Sequence, residues 1–158
     1  MSKIKILFFI LIPVFVFFDQ LSKRWALENV FKPNTVIEIN EYLNFVPVWN
    51  EGITFGLLSN IVNINFFMII ITTIIILFLF LWFIKTKKIN LNISLTFIIS
   101  GALGNLFDRF NHQAVVDFID IHIGKYHWPA FNLADSCITI GAFIYIFIIF
   151  TSQKDNIA

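Results

Sequence analysis

Asp117 and Asp135 are acids in apolar surroundings, and two such acids brought together can do chemistry that neither does alone. Asp117 stands in Val115-Val116-Asp117-Phe118-Ile119, and Asp135 is the only charge in the stretch 128–150. Two carboxyl groups held close in a low-dielectric site cannot both ionise readily, so they share a proton and titrate as a unit. The ionised member can take a proton from water as that water attacks a carbonyl. The protonated member can donate to the carbonyl oxygen and then to the leaving nitrogen. Amide hydrolysis by this route calls for no metal and no covalent intermediate.

Other polar residues fall at helical spacings. Asp19, Ser22 and Lys23 lie at i, i+3 and i+4, with Asp19 placed to pair with Lys23. Gly101, Asn105 and Asp108 fall at i, i+4 and i+7, as Asn132, Asp135 and Thr139 fall at i, i+3 and i+7. Each has a plainer reading. Asp19 and Lys23 could form a structural ion pair, Gly101 and Gly104 could serve close helix packing, and Asn105, Asp108 and Arg109 could cluster at a helix end. Asp135 resists such a reading: it is expected about two turns inside an apolar helix that carries no base to neutralise it. Competing chemistries have less to stand on. His112, His122 and His127 lack the spacing of metal ligands and there is no HExxH, so a zinc protease is disfavoured. There is no GxSxG elbow. A Ser–Lys pair such as Ser136 with Lys23 stays open, and Cys137, the single cysteine, reads as a small buried apolar group.

The elements that must position these residues are membrane spans. Of 158 residues 58% are hydrophobic and 13% charged, against the roughly 25% charged of an ordinary globular domain. A formal charge of +1 offers no clustered basic surface and argues against nucleic acid as a partner. Four apolar stretches, 4–27, 57–84, 91–107 and 128–150, approach or exceed the ~20 residues that cross a bilayer, and they fit one membrane domain over 1–158. The first follows Lys3 and Lys5 like a signal peptide, yet no small-residue cleavage site follows it, so it is expected to remain as a helix. The second offers only Thr72 and Thr73 as polar groups in mid-span and is expected at the periphery. Lys3, Lys5, the 85–90 loop with Lys85, Lys87 and Lys88, and Lys154 share one side. By the positive-inside rule they place both termini in the cytoplasm and the long segments 28–56 and 108–127 outside. In the first outer segment, 35–39 and 43–49 are rich in β-branched and aromatic residues and precede an Asn50-Glu51-Gly52 turn, which predicts a small surface sheet.

Five motifs lie in order along this chain: Asp19-Gln20-Leu21-Ser22-Lys23; Asn50-Glu51-Gly52-Ile53-Thr54-Phe55-Gly56; Gly101-Ala102-Leu103-Gly104-Asn105-Leu106-Phe107-Asp108-Arg109; Val115-Val116-Asp117-Phe118; and Phe131-Asn132-Leu133-Ala134-Asp135-Ser136. In order and spacing they resemble those of bacterial lipoprotein signal peptidase (signal peptidase II). The resemblance implies an aspartic endopeptidase of the bacterial inner membrane, its site toward the extracytoplasmic face. Such an enzyme cuts diacylglyceryl-modified prolipoproteins before the lipidated cysteine, as a monomer among membrane lipid and without a cofactor. It implies an all-α, four-span fold with a small extracytoplasmic sheet and a short interfacial helix. Asp117 and Asp135 would be the catalytic dyad. Asn50, Gly52, Asn105, Asp108, Arg109, Asn132 and Ala134 would line or brace the site, with Asp19 and Lys23 in support. A proton-coupled carrier or assembly factor using Asp135 alone is the alternative, and it differs in expecting Asp117 to be dispensable.

Overall fold

The computed structural model describes residues 3–52 and 64–154. Ile53 to Gly56 of the second motif and the 57–63 start of the expected second span lie outside them. Four long helices form the bundle: α1 (Lys3–Ala26), α2 (Ile64–Lys85), α3 (Ile89–His112) and α4 (Leu133–Lys154). Each is long and apolar enough to cross a membrane. One π-helical turn, Leu27–Phe31, continues α1 outward. No separate interfacial helix occurs among the described residues.

The bundle is apolar outside and polar inside. Phe17, Phe78, Phe143 and Phe147 project from α1, α2 and α4 with more than half their surface exposed, whereas Asp19, Lys23, Asn92, Ser94, Ser100, Asp108 and Asn132 are buried. In water this would be inverted; in lipid it places apolar side chains against acyl chains and polar groups against one another. α3 is the most enclosed of the four helices and packs against the other three. α2 packs chiefly on α3, at the edge, as its uninterrupted apolar sequence predicts. Contact between α3 and α4 is close because Gly101 faces α4: a methyl group there would collide with the Ala134 carbonyl oxygen. Gly101 therefore serves packing.

Four antiparallel strands lie in the order β1 (Ile37–Asn40), β2 (Leu43–Asn50), β3 (Val115–Ile123), β4 (Tyr126–His127). The first two occupy the stretches read as strands. β3, which carries Asp117, is a strand where the sequence showed only an apolar stretch within an outer segment. Val48 pairs with Asp117 and Asn50 with Val115, so the β2–β3 ladder closes the long excursion through α2 and α3. Trp25 packs on Phe45 and Phe118, and Ala26, Val116 and Phe118 form a small buried cluster. That cluster fixes the sheet to the end of α1.

Two helix limits differ from expectation, with consequences for the site. α3 runs to His112, beyond 107, so Asp108 and Arg109 are helical rather than part of an outer loop. α4 begins at Leu133, not at 128. Residues 128–131 instead extend along β3: Trp128 N donates to Ile121 O, and Phe131 exchanges backbone hydrogen bonds with Ile119. Trp128 precedes Pro129 and is biased away from helix, and Asn132 then supplies the cap that starts one.

Candidate active site

Asp135 sits in the first turn of α4, not two turns within it, and its apparent isolation is resolved by that placement. Asn132 Oδ1 accepts from Asp135 N at 2.9 Å, and Asp135 Oδ2 accepts from Asn132 N at 3.2 Å. This is a reciprocal capping box. A third donor of this helix end, Ala134 N, reaches Asp19 Oδ1 at 2.8 Å across from α1. Both acids meet the positive end of the helix dipole, which is where carboxylates are favoured.

Asp117 arrives from β3 and is 1% exposed. Its Oδ1 accepts from Asn132 Nδ2 at 2.6 Å and its Oδ2 from Asn50 Nδ2 at 2.9 Å. Burial pushes its carboxyl up to about 6; the charge of Asp135 adds to that rise, and the donors Asn50 and Asn132 oppose it. Asn132 thus touches both acids, one through its side chain and one through its backbone. Asp135 Oδ1 also accepts from Asn105 Nδ2 at 2.8 Å.

Behind the pair lies a buried charge cluster. Lys23 Nζ is 2.9 Å from Asp19 Oδ2, 2.9 Å from Asp108 Oδ2 and 2.9 Å from Asn105 Oδ1. Its three donors are all used, so it is no base for Ser136, whose hydroxyl donates to Asn132 O. The Ser–Lys reading has no geometry to support it. Asp108 Oδ2 accepts from Val116 N at 3.1 Å, clamping β3 beside Asp117. Gly104 faces Asp19 so closely that a methyl group would collide with the carboxylate. The chain of contacts runs from Lys23 through Asn105 to Asp135.

Arg109 lies within electrostatic reach of Asp117, Asp108 and Asp135. Gly52, with φ +98°, donates its backbone N–H to Asn50 Oδ1, 2.9 Å away. A Cβ on Gly52 would lie 3.3 Å from both terminal nitrogens of Arg109. The structure therefore brings Asp19, Lys23, Asn50, Gly52, Asn105, Asp108, Arg109, Asp117, Asn132, Ala134 and Asp135 to one end of the bundle. Thr139 is exposed and takes no part, and Ser22 turns its hydroxyl to Asp19 O.

Two participants escaped the sequence reading. Gln20 Nε2 donates to Asp108 Oδ1 at 2.9 Å and to Gly104 O at 3.1 Å, bridging α1 and α3; its place beside Asp19 in the first motif was the available signal. Asn65, at the start of α2, donates to Arg109 O at 3.0 Å and to Gln113 Oε1 at 3.2 Å. Nothing in the sequence marked it.

The family model for signal peptidase (SPase) II matches residues 11–151. The lipoprotein signal peptidase of Anaplasma phagocytophilum is 42% identical over 137 residues, 87% of each chain. That of Anaplasma marginale is 38% identical over 144 residues, covering 91% of this chain and 84% of its own. A solved bacterial membrane enzyme, determined by the in meso method, superposes with a TM-score of 0.79 at 33% identity. It covers 96% of this chain and 90% of that one.

Proposed function

The chain belongs to the signal peptidase II family, and from that premise we propose that Asp117 and Asp135 are its catalytic dyad. It is a multi-pass membrane protein and an aspartic-type peptidase that removes signal peptides from prolipoproteins. The observation that carries the dyad is Asn132, hydrogen-bonded to both acids at once. Six charged groups meet here, four acids (Asp19, Asp108, Asp117, Asp135) and two bases (Lys23, Arg109), so a proton held on the dyad reduces an uncompensated negative charge. Asp117, fully buried, holds that proton. Asp135, half-buried at the positive end of α4, is the partner that takes a proton from the attacking water. Asp117 then donates to the carbonyl oxygen as the tetrahedral centre forms. On collapse, the proton gained by Asp135 passes to the leaving nitrogen, the C–N bond breaks, and the diol returns a proton to Asp117, which restores the dyad. The substrate is a prolipoprotein bearing a diacylglyceryl cysteine, cut just before that residue, its acyl chains left in the bilayer beside the exposed apolar faces of the helices.

The Lys-rich link 86–88, the start of α1 at Lys3 and the end of α4 at Lys154 lie at the opposite end of the bundle from the dyad. By the positive-inside rule that end is cytoplasmic and the site is extracytoplasmic. Purified protein incubated with a diacylated prolipoprotein tests the assignment. Asp117→Asn and Asp135→Asn should each abolish cleavage while the folded protein is recovered in normal yield. Cleavage surviving in both sinks the dyad, and tolerance of Asp117→Asn alone favours a proton carrier built on Asp135. Equal cutting of the unlipidated precursor overturns the substrate.

A further inference from the structure

The bundle end remote from the aspartates holds a cavity of about 470 Å³ whose lining includes Lys5, Lys85, Thr86, Lys87, Ile89 and Asn92. Three independent features of it describe one ligand. Lys85 and Lys87 are exposed, and no Asp or Glu occurs before position 19 or between 52 and 107, so no acid on these parts of α1, α2 or α3 offsets them. Lys5 reinforces the positive field while its ammonium caps the end of α2 through the carbonyls of Ile84 and Thr86. α3 begins here with Lys88 as its cap residue, without a side-chain cap and without an acid in its first turn. Its first N–H groups and the positive dipole end therefore face the same space, an arrangement suited to an anion.

The third feature narrows the ligand. Asn92 is 3% exposed, yet its Oδ1 is buried with no hydrogen-bond partner among the described residues. Buried acceptors are nearly always satisfied, and an orphan needs an explanation. A phosphate diester has no proton to give it; a headgroup hydroxyl has. Ile4, Ile84 and Ile89, each nearly half exposed, flank the cavity with apolar surface at the end of the spans, where lipid headgroups lie.

We propose that this cavity binds the headgroup of an anionic glycerophospholipid that carries a free hydroxyl. Its phosphate lies between Lys85, Lys87 and the first turn of α3, and its hydroxyl donates to Asn92 Oδ1. Basic pockets between helices at a membrane surface are a recurrent form of lipid recognition. The site lies some 16 residues along α3 from Asp108, roughly 24 Å, so it belongs to the bundle and not to the catalytic end.

The full chain in a neutral detergent tests this by thermal unfolding, with lipid titrated in. Phosphatidylglycerol should raise the melting midpoint by several degrees, phosphatidylcholine should not, and phosphatidylmethanol, anionic but without a hydroxyl, should bind at least threefold more weakly. Lys85→Gln with Lys87→Gln should abolish the shift while prolipoprotein cleavage stays unchanged. Asn92→Leu should keep anionic binding and erase the preference for the hydroxyl. Equal shifts with phosphatidylcholine, or a shift that survives in the double variant, overturn the site. A full shift from millimolar inorganic phosphate alone overturns the lipid.

Discussion

Asn132 Nδ2 donates to Asp117 Oδ1 at 2.6 Å, the shortest of the contacts that hold either aspartate. The same residue caps α4 through its Oδ1 and receives Asp135 in return. Helix initiation and dyad geometry are thus one event, and two substitutions separate them. Asn132→Leu removes both and should cost about 1 kcal/mol of stability from the lost cap, with a fall in kcat of roughly a hundredfold from misplaced acids. Asn132→Ser keeps a capping oxygen but cannot span to Asp117. It should recover part of the melting temperature and none of the rate. Equal activity in the Ser variant and the wild type would show that the contact is architectural only.

Acidity is the second lever. Burial raises Asp117 from 3.8 in the open chain to about 6 in the fold. The protonated form is therefore favoured in the folded state, and this contribution to stability is fully present below about pH 3.8. It is lost as pH rises through about 6, at a cost on the order of 3 kcal/mol. Asp117→Asn carries no such charge. Its melting temperature relative to wild type should climb between pH 4 and 7 and stay level on either side. The descending limb of kcat/KM, which reports the free enzyme, should likewise fall near pH 6. A difference in melting temperature that does not vary with pH would remove Asp117 as the titrating group.

Much of this was legible in the sequence, and the parts that were not share a cause. Asp19 and Lys23 could be paired from a four-residue spacing because both sit on one helix. β3 was missed because Val115 to Phe118 is buried on both faces and shows no alternation, so its pattern does not distinguish strand from interfacial segment. Its partner, β2, lies about seventy residues away and exists only once α2 and α3 have folded between them. The same blindness moved the start of α4: the apolar residues 128–131 continue the hydropathy of the helix but are paired to β3. Asp135 was singled out for a depth within the helix that it does not have. Its special feature is a place in a cap shared with Asn132.

The cluster around Lys23 is a buried triad, and such triads are fragile when one member is lost. Lys23→Met leaves Asp19 and Asp108 facing each other without a cation, an omission that typically costs 3–5 kcal/mol. Folded yield should collapse at neutral pH and return in part at acidic pH, where both acids can hold protons. Adding Asp19→Asn and Asp108→Asn to Lys23→Met should restore folding at neutral pH without restoring cleavage, because Asn105 would have lost the ammonium that orients it toward Asp135. A Lys23→Met variant as stable as wild type would mean that the three charges are not jointly buried in the membrane.

Asn65 ties the peripheral helix to the chemistry. It holds the Arg109 carbonyl and the Gln113 side chain through Nδ2, and its Oδ1 accepts from Arg109 Nη1 at 3.4 Å. Arg109 in turn packs on Gly52 and interacts with the charge of Asp117. Removing the amide leaves the guanidinium freer to leave the dyad, and an absent positive charge makes the proton on Asp117 harder to remove. Asn65→Leu should therefore move the descending limb of kcat/KM to higher pH, by a few tenths to one unit, while leaving the folded yield intact. Arg109→Gln should move it in the same direction and further, and the double variant should equal Arg109→Gln alone. A helix-packing role for Asn65 predicts something different, a lower melting temperature with the limb unmoved, and the two profiles measured side by side decide between them.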